Sequence, residues 1–230
     1  MAEKVDRQTG DCALFTYLPI YLFTYLPVYL STQEVIMGLV LKSQRSADAL
    51  IHPYRWTRRE YEKMVEVGFF PPEVRLELIE GEILTMAAQS SHHAVALSIV
   101  QSRLNSVYTV GYYMRIQMPL ALGDNSEPEP DIAIVRGQPL DYYEQHPTTA
   151  VLVVEVAYSS LEYDQQRKLR LYARHAIPEY WIVNLAEYRL EVYREPVGEL
   201  YRLHLLLQGA DRVAPLSHPE QSISVADLLP

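Results

Sequence analysis

Cysteine is nearly absent: Cys12 is the only one in 230 residues. That excludes an internal disulfide framework and any zinc site built on cysteine thiolates. A basic excess is also missing, with 20 Lys and Arg against 29 Asp and Glu and a formal charge of −9. A surface coated in positive charge is therefore excluded, although a local basic patch is not. The sequence contains no glycine-rich phosphate-binding loop and no Ser-His-Asp signature. Phenylalanine is scarce at 4 residues while tyrosine reaches 18, and these tyrosines are scattered, which suits core and interface filling better than a base-stacking platform.

One long uncharged run is present, from Cys12 to Gln33. It holds a tandem repeat, LFTYLPIY (14–21) followed by LFTYLPVY (22–29). Pro19, Pro27 and a tyrosine every four residues argue against a membrane span. Acidic residues near the start and the lack of a small-residue cleavage site argue against a signal peptide. The expectation is an N-terminal extension over 1–54, disordered or upstream of a true start at Met37, and one folded domain over 55–230. A cytoplasmic location follows from the same features.

The domain opens with Thr57-Arg58-Arg59-Glu60, a capping box for a helix that Gly68 closes. RLELIEGEILTM (75–86) reads as a hairpin around Glu80-Gly81. Leu97, Val100, Leu104 and Val107 have helical spacing with Ser91 as the cap. Met114, Ile116, Met118, Leu120 and Leu122 alternate, which predicts a half-buried strand over 113–122. DIAIV (131–135) and AVLVVEVA (150–157) read as buried central strands. A helix over 164–175 and the strand EYWIVNL (179–185) complete a βαβ unit with parallel strands. Two antiparallel strands, 188–195 and 199–207, finish the chain around a Pro196-Val197-Gly198 turn. The fold class is therefore α/β: a mixed sheet flanked by helices, ending in an antiparallel hairpin.

Glu155 stands in an otherwise apolar strand, where a lone ionised carboxylate would cost several kcal/mol. Such a group is buried against a cation, protonated, or bound to a metal. Asp131 opens another buried strand, and if the two strands are neighbours both carboxylates meet at one end of the sheet. Two carboxylates plus waters are what Mg²⁺ usually takes from protein. Asp164 and Lys168 lie four apart on the crossover helix; Lys168 can orient a water or stabilise phosphate charge, or the two form an exposed ion pair of little consequence. Arg167, Arg170 and Arg174 make the same helix basic, either to track a phosphate backbone or as a solvated face. His92-His93 begins a helix and offers a phosphate contact or proton transfer, or simply solvated polar residues. Glu127 and Glu129 are expected to remain solvated in their loop.

The Glu-Pro-Asp at 129–131 and the strand carrying Glu155 resemble the signature of the PD-(D/E)XK nuclease superfamily. The ordered set RWTRREYEKMVEVGFF, RLELIEGEI, SHH, QMPLALGDNSEPEPDIAIV, VVEVAYSSLEYDQQRKLRLYARHAIPEYWIVNL and LEVYRE resembles the large bacterial family of uncharacterised proteins with a restriction-endonuclease-like fold, over about residues 55–228. The resemblance implies a Mg²⁺- or Mn²⁺-dependent phosphodiesterase fold, acting on nucleic acid and taken here to be DNA, and usually a homodimer without a membrane role. It puts the metal on Asp131 and Glu155 and adds Glu77 as a supporting carboxylate, with Glu80 and Glu82 as weaker candidates. It favours one of the histidines facing the cleft, with His93 and Arg167 as the phosphate-contact or proton-transfer candidates. The superfamily's lysine would fall on Ala157, so Lys168 is the candidate replacement; Tyr158 also departs from the family pattern. The alternative is an inactive nuclease-fold scaffold that binds nucleic acid or a protein, which the missing lysine and the acidic charge favour. A paired-carboxylate glycosidase is a distant third, because such sites line open sugar clefts. Lys168 pointing at the carboxylates favours catalysis; Lys168 facing solvent favours the scaffold.

Overall fold

Residues 52–230 are described by the structure, a computed structural model; the repeat and nearly all of the expected N-terminal extension lie outside them. Helix α1 (Arg58–Glu66) starts on the capping box, with the Glu60 amide donating to Thr57 Oγ1 and the Thr57 amide to Glu60 Oε2. Gly68, at φ +68°, ends it. Strands β1 (Leu76–Ile79) and β2 (Glu82–Thr85) form the expected hairpin. Its two turn residues, Glu80 and Gly81, both have positive φ, the geometry of a type I′ turn. The turn is also tight against Arg55, because a Cβ on Gly81 would lie 2.8 Å from Arg55 Cβ.

Six strands form the main sheet in the order β3-β4-β5-β6-β7-β8, comprising β3 (Tyr112–Ile116), β4 (Ile132–Arg136), β5 (Leu152–Ala157), β6 (Glu179–Asn184), β7 (Arg189–Val197) and β8 (Leu200–Gln208). Only β5 and β6 run parallel, as the βαβ spacing requires; the other neighbours are antiparallel. Strands β5 and β6 are buried at every position, which explains their continuous apolar runs. One face packs against α2 (Ser91–Val107), whose Val100 and Leu104 meet Ile132, Val154 and Trp181. The other face carries Val153 and Ala157 against Leu171 and Tyr172 of the crossover helix α3. Helix α3 begins as Leu161–Tyr163, loosens to a π-helical stretch over Asp164–Lys168, and returns to α-helix over Leu169–Arg174.

Several expected boundaries move. The alternation after Ile116 does not continue as strand, because Gln117 takes φ +51° and turns the backbone; Leu120 and Leu122 are still buried, with their amides bonded to the Pro128 and Ser126 carbonyls. The cap of α2 is Ser90, whose hydroxyl accepts from the His93 amide, rather than Ser91. Helix α3 starts three residues before the expected Asp164. In the last hairpin Pro196 and Val197 belong to β7, paired with Tyr201 and Leu200, so the turn sits at Gly198-Glu199.

Candidate active site

Asp131 immediately precedes β4, and β4 pairs with β5, so the backbone register brings Asp131 beside Glu155. The Asp131 amide donates to Glu155 Oε2 at 3.3 Å, and the Val156 amide donates to Asp131 Oδ2 at 2.8 Å. Glu155 Oε1 accepts from Lys168 Nζ at 2.9 Å and from the Tyr172 hydroxyl at 2.8 Å. Lys168 Nζ also donates to Glu77 Oε1 at 3.1 Å, and the Glu129 amide reaches that same oxygen at 2.8 Å. Strand β1 supplies Glu77, β4 and β5 supply the two central carboxylates, and the π-helical turn of α3 brings the lysine. Asp164, Lys168 and Tyr172 recur every four residues, which keeps them on one helix face.

Asp131 is further held by His93 Nε2, 3.0 Å from Oδ2, and by the Gln117 side-chain amide, which donates to Oδ1 at 3.1 Å. The positive φ of Gln117 thus both ends β3 and serves the site. Asp131, Glu155, Lys168 and His93 line a cleft of about 170 Å³, with Arg75, Glu129 and Asp164 also on its wall. The segment Met86–Ser90 forms one side and Tyr158–Ser160 another. Larger hollows on the outer face of α2 and between α3 and β8 contain none of the paired carboxylates.

Negative charge is in excess here. Glu77, Glu129, Asp131, Glu155 and Asp164 face the cations Lys168 and Arg75, and Arg75 is engaged by Glu129 at 3.4 Å. Burial drives the Glu155 carboxyl well up, with Asp164, Asp131 and Glu77 adding to it and Lys168 opposing. Asp164 rises to about 6, again chiefly by burial. Asp131 moves the other way: burial raises it, but His93, the Val156 amide and Gln117 together outweigh that and lower it. Lys168 stays charged well beyond the usual lysine range, because Glu155, Glu77 and Asp164 outweigh the cost of its burial. Two adjacent carboxylates pushed in opposite directions are what acid and base roles at one pH require.

A divalent cation fits these residues. Mg²⁺ usually takes one or two carboxylates and keeps several waters, and Asp131 and Glu155 open on one cleft. Among the described residues no three His, Cys, Asp or Glu converge into a ready-made cage, so a resident ion would rely on those waters. Among the described residues the Oε2 of Glu77 is buried without a partner.

The expected residues separate into those that converge and those that do not. Asp131, Glu155, Lys168, Glu77 and His93 meet, whereas His92 is exposed. The exposed reading of the Asp164/Lys168 pair is corrected, since both side chains are buried by the sheet. Arg167 points instead to the β1–β2 hairpin, donating to the Ile79 carbonyl and pairing with Glu82, and Arg174 pairs with Glu80 and Glu199. Glu80 and Glu82 are thereby spent on ion pairs away from the cleft. Glu127 and Glu129 are not solvated: backbone bonds between Leu78 and Glu127 draw that loop onto β1, leaving Glu127 buried and Glu129 on the cleft wall. Gln117, Tyr172 and Arg75 were missed; the four-residue spacing after Lys168 signals Tyr172, and nothing local signals Gln117.

A family model described as "Putative restriction endonuclease" matches residues 58–226. Among solved structures, a crystal structure described as "a putative nuclease belonging to DUF820" from Anabaena variabilis superposes with a TM-score of 0.57 at 20% identity, covering 72% of this chain and 96% of that one. No curated protein matches the chain. Among the described residues, no helix is long and apolar enough to cross a membrane.

Proposed function

The chain belongs to the restriction-endonuclease family that this match defines, and we propose that it is a metal-dependent endonuclease that hydrolyses phosphodiester bonds of nucleic acid, DNA in the first instance. The observation that carries the reading is Lys168 Nζ, held 2.9 Å from Glu155 and 3.1 Å from Glu77 at the floor of the cleft that Asp131 shares. An exposed lysine would have favoured a scaffold; this one is committed to the carboxylates.

Asp131 and Glu155 would hold Mg²⁺ or Mn²⁺, which when bound supplies Lewis acidity and makes water a stronger nucleophile. The lysine ammonium carries three N–H groups and spends two on Glu155 and Glu77. Its third is free to bond a phosphoryl oxygen or the attacking water and to offset the charge that builds up there. With its proton on Nε2 towards Asp131, His93 leaves Nδ1 as a buried acceptor without a partner, suited to take a proton from the water. Water adds to phosphorus as its proton passes to His93, the bond to the leaving sugar oxygen breaks, that oxygen takes a proton from solvent, and His93 returns its own to solvent. Glu77 holds the lysine in position, and Tyr172 fixes the Glu155 carboxylate.

The test is cleavage of supercoiled plasmid and of single-stranded DNA with Mg²⁺ or Mn²⁺. Wild type should cut, and Asp131→Ala and Glu155→Ala should each lose at least a hundredfold while keeping a cooperative melt. Activity that survives in both variants would remove these residues from the chemistry.

A further inference from the structure

The shape of the cleft limits which strand can enter it. Its volume of about 170 Å³ lies below the roughly 300–1,000 Å³ of pockets that enclose drug-sized molecules. That space admits a phosphodiester link with part of its sugar, not a base pair. The groups at its floor are nearly sealed, with Asp131 8%, Glu155 3% and Lys168 1% exposed. A phosphate must therefore descend between the 86–90 and 158–160 segments to reach them. In a duplex the paired strand and the neighbouring phosphates ride on the same rigid cylinder and meet those walls first. A lone strand bends in.

Electrostatics point the same way. Binding a duplex draws on many phosphate contacts by free Lys and Arg. Here Lys168 has one N–H left for the phosphate at the floor, while Arg75 is paired with Glu129 and neighbouring Arg167 with Glu82. The 86–90 and 158–160 segments that border the cleft carry no charged residue and include Gln89, Ser90 and Ser159. They also carry Tyr158, directly after β5 and 63% exposed, whose ring has no aromatic neighbour and whose hydroxyl has no hydrogen bond among the described residues. An aromatic side chain on such an uncharged segment binds unpaired bases by stacking, without reading their sequence.

We propose, building on the nuclease reading of the same site, that the cleft takes a single strand or an unpaired end of nucleic acid and that Tyr158 stacks a base next to the phosphate held at Asp131 and Glu155. Tyr158 is then a substrate-binding residue at the rim, separate from the groups that act on phosphorus.

The experiment is fluorescence anisotropy of the full chain with a labelled single-stranded oligonucleotide and with its blunt duplex, using Ca²⁺ in place of Mg²⁺. The single strand should bind at least tenfold more tightly. Tyr158→Ala should weaken that binding by about 5- to 150-fold, the range of one base stack, while Tyr158→Phe retains it. In cleavage the Ala variant should raise KM with kcat largely kept. Duplex binding equal to or tighter than single-strand binding, or an unchanged Tyr158→Ala, overturns the proposal. Selective single-strand binding without cleavage of either substrate would instead sustain it and overturn the hydrolytic reading.

Discussion

Replacing Lys168 with methionine removes the buried cation that Glu155 and Glu77 share. None of the Lys168, Glu77 and Glu155 side chains is more than 4% exposed. Methionine is unbranched and flexible enough to fill most of the vacated space, so the loss is electrostatic before it is steric. Without the ammonium, Glu155 faces Glu77, Asp131 and Asp164 alone, and the cluster must take up one more proton than wild type. Burial already holds the Glu155 carboxyl well up in wild type, so the extra proton falls on a second carboxyl of the cluster; keeping it protonated at pH 7, against an ordinary value of about 4.5, costs about 3 kcal/mol at about 1.4 kcal/mol per pH unit. The figure falls within the roughly 3–5 kcal/mol lost when one partner of a buried ion pair is removed. The sign follows from linkage: a carboxyl raised in the folded state favours the fold below about pH 4.5 and loses that contribution as pH climbs towards the raised value. The stability gap between wild type and Lys168→Met should therefore be small near pH 4.5 and widen by about 1.4 kcal/mol per unit up to pH 7. Urea denaturation at half-unit pH steps reads it. A gap that stays constant with pH, or falls below about 1 kcal/mol at pH 7, would show that Lys168 is not the counter-charge of this carboxylate cluster.

Two further perturbations concern the supports of the site. Glu127 is buried against Glu62 and its carboxyl is pushed up to about 8, first by burial and then by Glu62. Wild-type stability should lose this contribution as pH rises from about 4.5 through 8, so Glu127→Gln should gain up to about 4 kcal/mol at pH 8 and nothing near pH 4.5. Thermal melts across that range check it, and a variant no more stable at pH 8 would refute the burial argument. Gly81→Ala combines a φ of +80° with a Cβ 2.8 Å from Arg55 Cβ, and should cost about 1–3 kcal/mol; an unchanged denaturation midpoint would mean that the turn rearranges freely.

The sheet was legible because its strands announce themselves. Strands β5 and β6 are buried throughout and largely apolar, and they enclose a helix, which dictates a parallel pair with a crossover. Glu155 was legible as an exception to that pattern, whereas Lys168 was legible only as a candidate beside the reading of an exposed pair with Asp164, and the resemblance brought it forward. The misreadings share one cause: a local pattern was continued past a point where the backbone turns. Alternation carried the reading of β3 through Gln117, whose left-handed conformation no neighbouring residue requires. A charged, proline-punctuated loop suggested solvated Glu127 and Glu129, but that loop docks edge to edge on β1 through Leu78, a contact between residues about fifty apart. Arg167 looked free on its helix because its partners, Glu80 and Glu82, stand on a hairpin far away in sequence. Long-range pairing of this kind leaves no local periodicity to read.

The most direct measurement is calorimetric titration of Mn²⁺ into wild type, Asp131→Asn and Glu155→Gln at one pH. Both substitutions keep the side-chain shape and remove only the charge. Saturable binding in wild type that is lost or weakened at least tenfold in each variant is the expected result. Wild type that takes up no Mn²⁺, or variants that bind it as well as wild type, would contradict a metal site on Asp131 and Glu155.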